Sequence, residues 1–403
     1  MLWIALVAGL MVTDVWDETL GITTFLANYP SSPEEFLMQR STRPLPVIAY
    51  GVFFRFLHDY DTAWRFLRAL NAVFLLGALG LMFATVRRLK PLTAPRQLFL
   101  LGAFLFSGAS IITAGWYANV YDASALILVW TGVFLLAATD YEILPAVVFG
   151  LAFFCKETAV LLFPFVLGLA LTNLLDRRRS FLVLGLSSAF FLVYLIYRQK
   201  VVALGGSGDI HGFSEADFFP SVVGWFESFW WQDLNRPGPG LAGFLFTGFS
   251  LVALRNIRLA LVMLATLLLC PVIYCGMTDA YETDLLGALH FIGRLYLIPF
   301  SFFLFLLAFD ARRWALPVLL IPILFGAFHT ARSHYQFQQS FAAVYERARQ
   351  RPADRPLTVK YSPFPGPLID TRRHLVIGRI PKAEYRLHVK DGTLLKIAEA
   401  AAP

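Results

Sequence analysis

The sequence predicts an all-α polytopic integral membrane protein of about 11 transmembrane helices, with external juxtamembrane helices and a small C-terminal α/β extramembrane appendage. Three observations carry this. Hydrophobic residues make up 58% of the 403-residue chain and charged residues 15%, against roughly 25% charged in an average soluble domain. The apolar residues fall into repeated stretches of about 13–20, each bounded by charge, Gly or Pro, as helices crossing a hydrocarbon core of about 30 Å require. Basic clusters recur between alternate stretches, which is how cytoplasmic loops are marked.

The spans are predicted, to within a few residues, at Met1–Thr13, Trp64–Val86, Gln97–Thr113, Asp122–Ala138, Ile143–Phe154, Thr158–Leu175, Ser180–Tyr197, Leu241–Leu254, Leu259–Tyr274, Leu295–Phe309 and Trp314–His329. The first is short, and lacks the basic n-region and A-x-A-like site of a cleaved signal, so it is read as a membrane helix. Ile143–Phe154 and Thr158–Leu175 are short enough to be a paired or re-entrant element. With the N-terminus inside, the loops holding Arg87–Arg88–Lys90, Arg177–Arg178–Arg179, Arg255 with Arg258, and Arg312–Arg313 all become cytoplasmic. Residues 14–63, 114–121, 155–157, 198–240 and 275–294 then face outward, with the tail after Thr330. The chain divides into a transmembrane unit, 1–329, and a small external C-terminal domain, 330–403. The expected location is a plasma (bacterial inner) membrane.

The outer segments are the informative ones. Residues 14–63 hold two helical patterns, Asp17–Asn28 and the apolar, aromatic Pro44–Leu57, the latter with Pro in its first turn. Both read as helices lying in the membrane interface. In the large loop 198–240, the run Trp225–Trp231 suits anchoring at the headgroup level; a sugar-stacking platform is the alternative. The tail is polar, with a helix expected over Phe337–Arg349 and short alternating runs at Leu375–Ile377 and Tyr385–Val389.

The net charge of +7 is explained by the loop clusters, and nucleic acid is not an expected partner. The three cysteines, Cys155, Cys270 and Cys275, lie in or beside apolar stretches and read as small buried hydrophobes. There is no G-x-S-x-G, P-loop, H-E-x-x-H or C-x-x-C. His211, His290, His329, His334 and His374 are scattered, so no metal site and no cofactor is expected.

Four constellations carry chemistry. In Thr13-Asp14-Val15-Trp16-Asp17-Glu18, a helix puts Asp14, Asp17 and Glu18 on one face. Mutual repulsion near a membrane favours a cation or substrate there, although acids also decorate helix N-termini. In Cys155-Lys156-Glu157-Thr158, a charged pair interrupts an apolar stretch; Lys156 suits an anionic group such as phosphate, and a loop-tip ion pair is the plainer reading. Asp122, after Tyr121, starts a span from the outer side, where an acid is also ordinary. In His290-Phe291-Ile292-Gly293-Arg294-Leu295-Tyr296, Arg294 enters a span from the side where basic residues are not expected. It is a second phosphate candidate, or a snorkelling residue.

Taken together, these residues resemble the GT-C superfamily of membrane glycosyltransferases, which includes protein O-mannosyltransferases and aminoarabinose transferases. Asp17-Glu18 is similar to the family's acidic pair in the first external loop. Arg43-Pro44-Leu45-Pro46 followed by Val47–Leu57 is similar to its Pro-rich juxtamembrane helix. Trp64–Val73 and Gly150–Glu157 are similar to its W-R-L-P-S and G-L-A-x-x-x-K stretches. The resemblance covers roughly the first 200 residues in register. The Pro-rich helix departs from it in lacking His or Lys before the prolines, which Leu45 separates.

The resemblance implies a glycosyltransferase (EC 2.4 class) that takes sugar from a polyprenyl-phosphate-linked donor at the outer membrane face, with inversion, to a hydroxyl of a lipid, glycan or protein acceptor. Asp17 would be the base. Glu18, Asp122 and Glu157 would shape the site. Lys156 and Arg294, flanked by His290 and Tyr296, would hold the donor phosphate. A transporter or lipid flippase, and a non-catalytic scaffold subunit, are the alternatives.

Overall fold

The computed structural model describes Trp3 and residues 43–46, 60–115, 120–203, 222, 225–226, 229–230, 240–275, 296–328, 330–332, 357–360, 384–390 and 393–399. Most of Met1–Thr13, the helical pattern Asp17–Asn28, all of Pro44–Leu57 beyond its first three residues, and Phe337–Arg349 lie outside them, as do Asp14, Asp17, Glu18, His290 and Arg294.

Eleven helices are described: α1 Tyr60–Leu89, α2 Ala94–Leu105, α3 Gly108–Gly115, α4 Val120–Ala138, α5 Ile143–Cys155, α6 Leu162–Leu171, α7 Arg177–Ala203, α8 Gly240–Ala253, α9 Ile257–Cys275, α10 Leu297–Asp310 and α11 Ala315–Arg332. Four stretches, Phe66–Leu89, Val120–Ala138, Arg177–Lys200 and Ala315–Arg332, are long and apolar enough to cross a membrane. A fifth follows if α2 and α3 are one span bent by 48°. The rest are shorter apolar helices; α5, at 13 residues, is about 20 Å long. Large apolar side chains of α7 face outward, among them Phe181, Leu182, Leu192, Val193 and Ile196. That inversion of the soluble pattern is consistent with a surface facing lipid. The fold is predominantly helical, with four or five spans long and apolar enough to cross a membrane.

Local chemistry sets the boundaries. Arg87 and Arg88 close α1, complementing its negative C-terminal end. Pro occupies the first turn of α2, where a missing N–H is harmless. The predicted continuous span Gln97–Thr113 is instead broken at Phe106–Ser107. The Ser107 hydroxyl donates back to the Phe104 carbonyl (2.9 Å) and accepts from the Ser110 amide (3.2 Å), so it ends α2 and starts α3. α6 closes through Asn173 at φ 60°, a residue that tolerates the left-handed conformation. The Asp176 carboxylate then caps α7 by accepting from the Arg179 amide (2.7 Å). α7 continues to Ala203, so Arg198–Ala203, the start of the segment assigned to an external loop, is helical.

Bonds at the helix ends fix which ends lie together. Lys156, after α5, meets Asp122 at the start of α4. The Arg179 guanidinium, at the start of α7, donates to the carbonyls of Leu136 and Tyr141 at the other end of α4 (3.0 and 2.8 Å). α5 and α6 therefore run out and back along α4. Arg96, in the first turn of α2, donates to the carbonyls of Ala308, Phe309 and Ala311 at the end of α10. Strict alternation of the segments then gathers all four basic clusters at one end of the bundle. Asp122, Lys156 and Glu157 stand at the opposite end.

The core is aromatic. Trp130 of α4 donates to the Ser301 hydroxyl of α10 (3.0 Å), and its ring meets Phe165, Phe302 and Phe305. Glycines allow close approach between helices. A Cβ on Gly132 would come within 2.3 Å of the Phe149 ring, which is itself fully buried. Gly132→Leu is therefore expected to destabilise the protein by about 1–3 kcal/mol or more, read by unfolding in detergent. Gly80→Leu, with nothing within 4 Å of its Cβ, should leave stability unchanged.

The described rings of the Trp225–Trp231 run correct both readings of it. Trp225, Phe226, Phe229 and Trp230 are buried inside the protein. Trp230 donates to the Thr247 hydroxyl (2.9 Å), and Phe229 packs on Phe300 and Phe303. They serve neither as headgroup anchors nor as an open stacking platform. In the tail, three strands, β1 Leu357–Lys360, β2 Glu384–Lys390 and β3 Thr393–Glu399, form an antiparallel sheet in the order β1-β2-β3. Its register shifts at His388/Val389.

Candidate functional site

At the end of the bundle away from the basic clusters, the backbone breaks where the sequence is charged. α5 stops at Cys155, and Lys156 turns extended (φ −159°, ψ 131°). A short 3-10 turn, Glu157–Leu161, then leads into α6. The break turns the Lys156 and Glu157 side chains inward, and they are 2% and 7% exposed. The plainer reading, an ion pair at the turn between two short helices, describes their contact, but the pair is buried.

Four charges meet there. The Arg43 guanidinium grips Glu157 in a bidentate pair, Nε to Oε2 at 3.0 Å and Nη2 to Oε1 at 2.7 Å. The Lys156 ammonium lies 3.6 Å from Glu157 Oε1 and 3.8 Å from Asp122 Oδ1. Arg43 also sits over the Tyr121 ring, 5.7 Å from its centroid, a cation–π contact. Asp122, in the first turn of α4, is 3% exposed at its side chain. Glu157 is at the charged break between the short apolar helices α5 and α6. Burial opposes its charge, but Arg43 and Lys156 beside it, and the hydrogen bonds from Arg43, hold its carboxyl well below the usual carboxylate range.

In these contacts two cations face two carboxylates. The Lys156 contacts are long, at 3.6–3.8 Å, beyond good hydrogen-bond geometry. Those distances leave its ammonium loosely coordinated by these two carboxylates. The Arg43 fork is the geometry that also grips a phosphate. The cluster holds two carboxylates, and among the described residues no group of three His, Cys, Asp or Glu side chains converges to hold a metal.

The structure thus brings together Lys156, Glu157 and Asp122. Tyr296 is fully buried, with its ring 4.2 Å from Trp225 and 5.9 Å from Phe229. Asp17, Glu18, His290 and Arg294 are among the residues not described. Arg43 is the participant that sequence reading did not single out as a site residue; its only signal was its place before Pro44.

The architecture is a helical bundle, consistent with a membrane protein, that carries a buried ionic cluster at one end. No family model, curated protein or solved structure matches the chain.

Proposed function

We propose that the protein is a membrane glycosyltransferase that moves sugar from a polyprenyl-phosphate-linked donor to an acceptor hydroxyl at the outer membrane face. The observation that carries this reading is the buried cluster Arg43, Lys156, Glu157 and Asp122, at the bundle end opposite the basic loops. It supplies two cations to a region that resembles GT-C motifs at Arg43–Pro46 and Gly150–Glu157. In the reaction, Asp17 takes the proton of the acceptor hydroxyl. The oxygen bonds to the anomeric carbon from the face opposite the phosphate, and the carbon–oxygen bond to the phosphate breaks. Polyprenyl phosphate leaves with the electron pair, and the anomeric centre inverts. A phosphate leaving group departs without a proton if cations receive its charge, so no cofactor is needed. Lys156 and Arg294 are assigned to that phosphate, with Arg43 beside them. Glu18, Asp122 and Glu157 orient the site, and His290 and Tyr296 line its approach.

The same reading includes the finer architecture: about 11 spans, the Asp17–Asn28 and Pro44–Leu57 helices in the interface, and an external α/β tail. A reporter fused after Pro403 is expected to be active only outside the cytoplasm. Cytoplasmic activity would reverse the assignment of faces.

The primary test is release of polyprenyl phosphate from a polyprenyl-phosphate sugar by purified protein in lipid nanodiscs. Lys156→Met, assayed as the monodisperse variant because loss of a buried charge also lowers stability, should weaken donor binding roughly tenfold or more, as loss of one charge-assisted phosphate contact does. Unchanged donor affinity in a monodisperse variant would return Lys156 to a structural ion pair. One observation favours a transporter instead: the α2–α3 span is broken, with Ser110 and Thr113 buried beside the break, as in carriers built on discontinuous helices. Donor binding and flipping without release of polyprenyl phosphate would select that reading.

A further inference from the structure

At the basic end of the bundle, two turns are joined into one unit. Residues 253–257 connect α8 to α9, and residues 310–315 connect α10 to α11. Leu254 and Ala311 form a β-bridge, and the Arg312 amide donates to the Ala253 carbonyl at 2.9 Å. The Asp310 carboxylate accepts from the Arg255 and Asn256 amides at 2.9 and 2.7 Å. The Asn256 side chain accepts from the Arg258 amide at 3.0 Å. From beneath, the buried Arg96 guanidinium donates to the last carbonyls of α10.

Backbone groups, Asp310, Asn256 and Arg96 therefore hold this unit without help from four other arginine side chains. Arg255, Arg258, Arg312 and Arg313 are all exposed. Among the described residues their guanidiniums have no ion pair, and the one carboxylate of the unit is occupied by amides. Apolar side chains stand exposed directly beside them: Val252, Ile257, Leu261 and Trp314. A cationic cluster bordering a lipid-facing apolar surface, with Trp at the boundary, stands at the height of the headgroup phosphates.

We propose that the bridged turns carrying Arg255, Arg258, Arg312 and Arg313 are a docking site for an anionic phospholipid. Its phosphodiester lies among the guanidiniums, and its acyl chains lie along the exposed faces of α8, α9 and α11. A free phosphate would satisfy the charge but not the apolar border, so a lipid is the better occupant. The site does not depend on the proposed sugar transfer.

The test is binding of phosphatidylglycerol, phosphatidylcholine and inorganic phosphate to the full chain in detergent, by native mass spectrometry and by thermal shift. Each arginine near a charged lipid surface strengthens binding roughly fivefold. Phosphatidylglycerol is expected to bind more than tenfold tighter than phosphatidylcholine and to raise the Tm, while inorganic phosphate does neither. Arg312→Gln with Arg313→Gln should remove most of that preference. Arg87→Gln with Arg88→Gln, an equal loss of exposed charge in the last turn of α1, should keep it. Three results would overturn the proposal: no headgroup preference in the wild type, equal stabilisation by inorganic phosphate, or equal loss in both double variants. The last would mean a diffuse positive surface. Replacing the four arginines with Lys tests the geometry: retained charge with a weaker preference is expected, and full abolition would argue against a phosphate-level site.

Discussion

Glu157→Gln is expected to lower the stability of the detergent-solubilised protein by about 3–5 kcal/mol, the usual consequence of removing one member of a buried ion pair. Gln fills the same space but takes from Arg43 and Lys156 the carboxylate they share. At 7% exposure for the Glu157 side chain, water has little access to screen the surplus charge. The comparison that isolates the pair is Arg43→Gln, alone and combined with Glu157→Gln. Removing both charges together leaves neither partner of the pair unmatched, so the double variant should be more stable than the sum of the single losses predicts, by about 0.5–3 kcal/mol. Strict additivity would mean that Arg43 and Glu157 do not hold each other. The sign of the pH dependence follows from the depressed Glu157 carboxyl. Its contribution is complete above the ordinary glutamate range of about 4.3 and is lost as pH falls below it. The gap between wild type and Glu157→Gln should therefore stay constant at neutral and mildly acidic pH and close only in stronger acid.

Much of this fold could be read from composition, because long apolar runs between charged loops leave a chain few alternatives. For that reason α4 matches its predicted stretch to within two residues, and α1 and α7 contain theirs and run past both ends. The break between α2 and α3 was hidden by the same signal. Residues on both sides of Phe106–Ser107 are equally apolar, and what ends α2 is a hydroxyl hydrogen-bonding locally, which hydropathy does not register. The Trp225–Trp231 run misled for a different reason. The headgroup preference of Trp is an average over many proteins, whereas Trp230 finds its N–H partner in Thr247 inside the bundle.

The ionic cluster was half legible. Lys156 and Glu157 stand out because charge in an apolar stretch is costly, and their inward direction comes from the extended backbone at Lys156. Arg43 is 114 residues away from Glu157 in sequence. Nothing local to either residue announces the pairing; it follows only once the fold brings Arg43 to the end of α5. Asp122 belongs to the same class: a lone acid at a helix start acquires meaning from Lys156 3.8 Å away.

Asp17→Asn is expected to reduce sugar transfer by about 10²–10⁴-fold, the typical effect of removing a positioned general base, while donor binding persists. The substitution keeps the shape and hydrogen-bonding reach of the side chain but cannot accept the acceptor's proton. Donor affinity should survive because the phosphate is assigned to Lys156, Arg294 and Arg43, so the loss should fall on kcat with little change in donor Kd. Glu18→Gln should reduce turnover less if Glu18 only orients the site, and Asp14→Asn less again, one helical turn away. The three variants are to be assayed side by side on the same donor, with monodispersity in detergent as the check on folding. If Glu18→Gln collapses turnover and Asp17→Asn does not, the two carboxylates exchange roles and the mechanism stands. If all three retain near-normal transfer, the acidic cluster merely decorates a helix end. The base would then have to be Asp122, which the ammonium of Lys156 already accompanies at 3.8 Å, and Asp122→Asn would carry the loss of turnover instead.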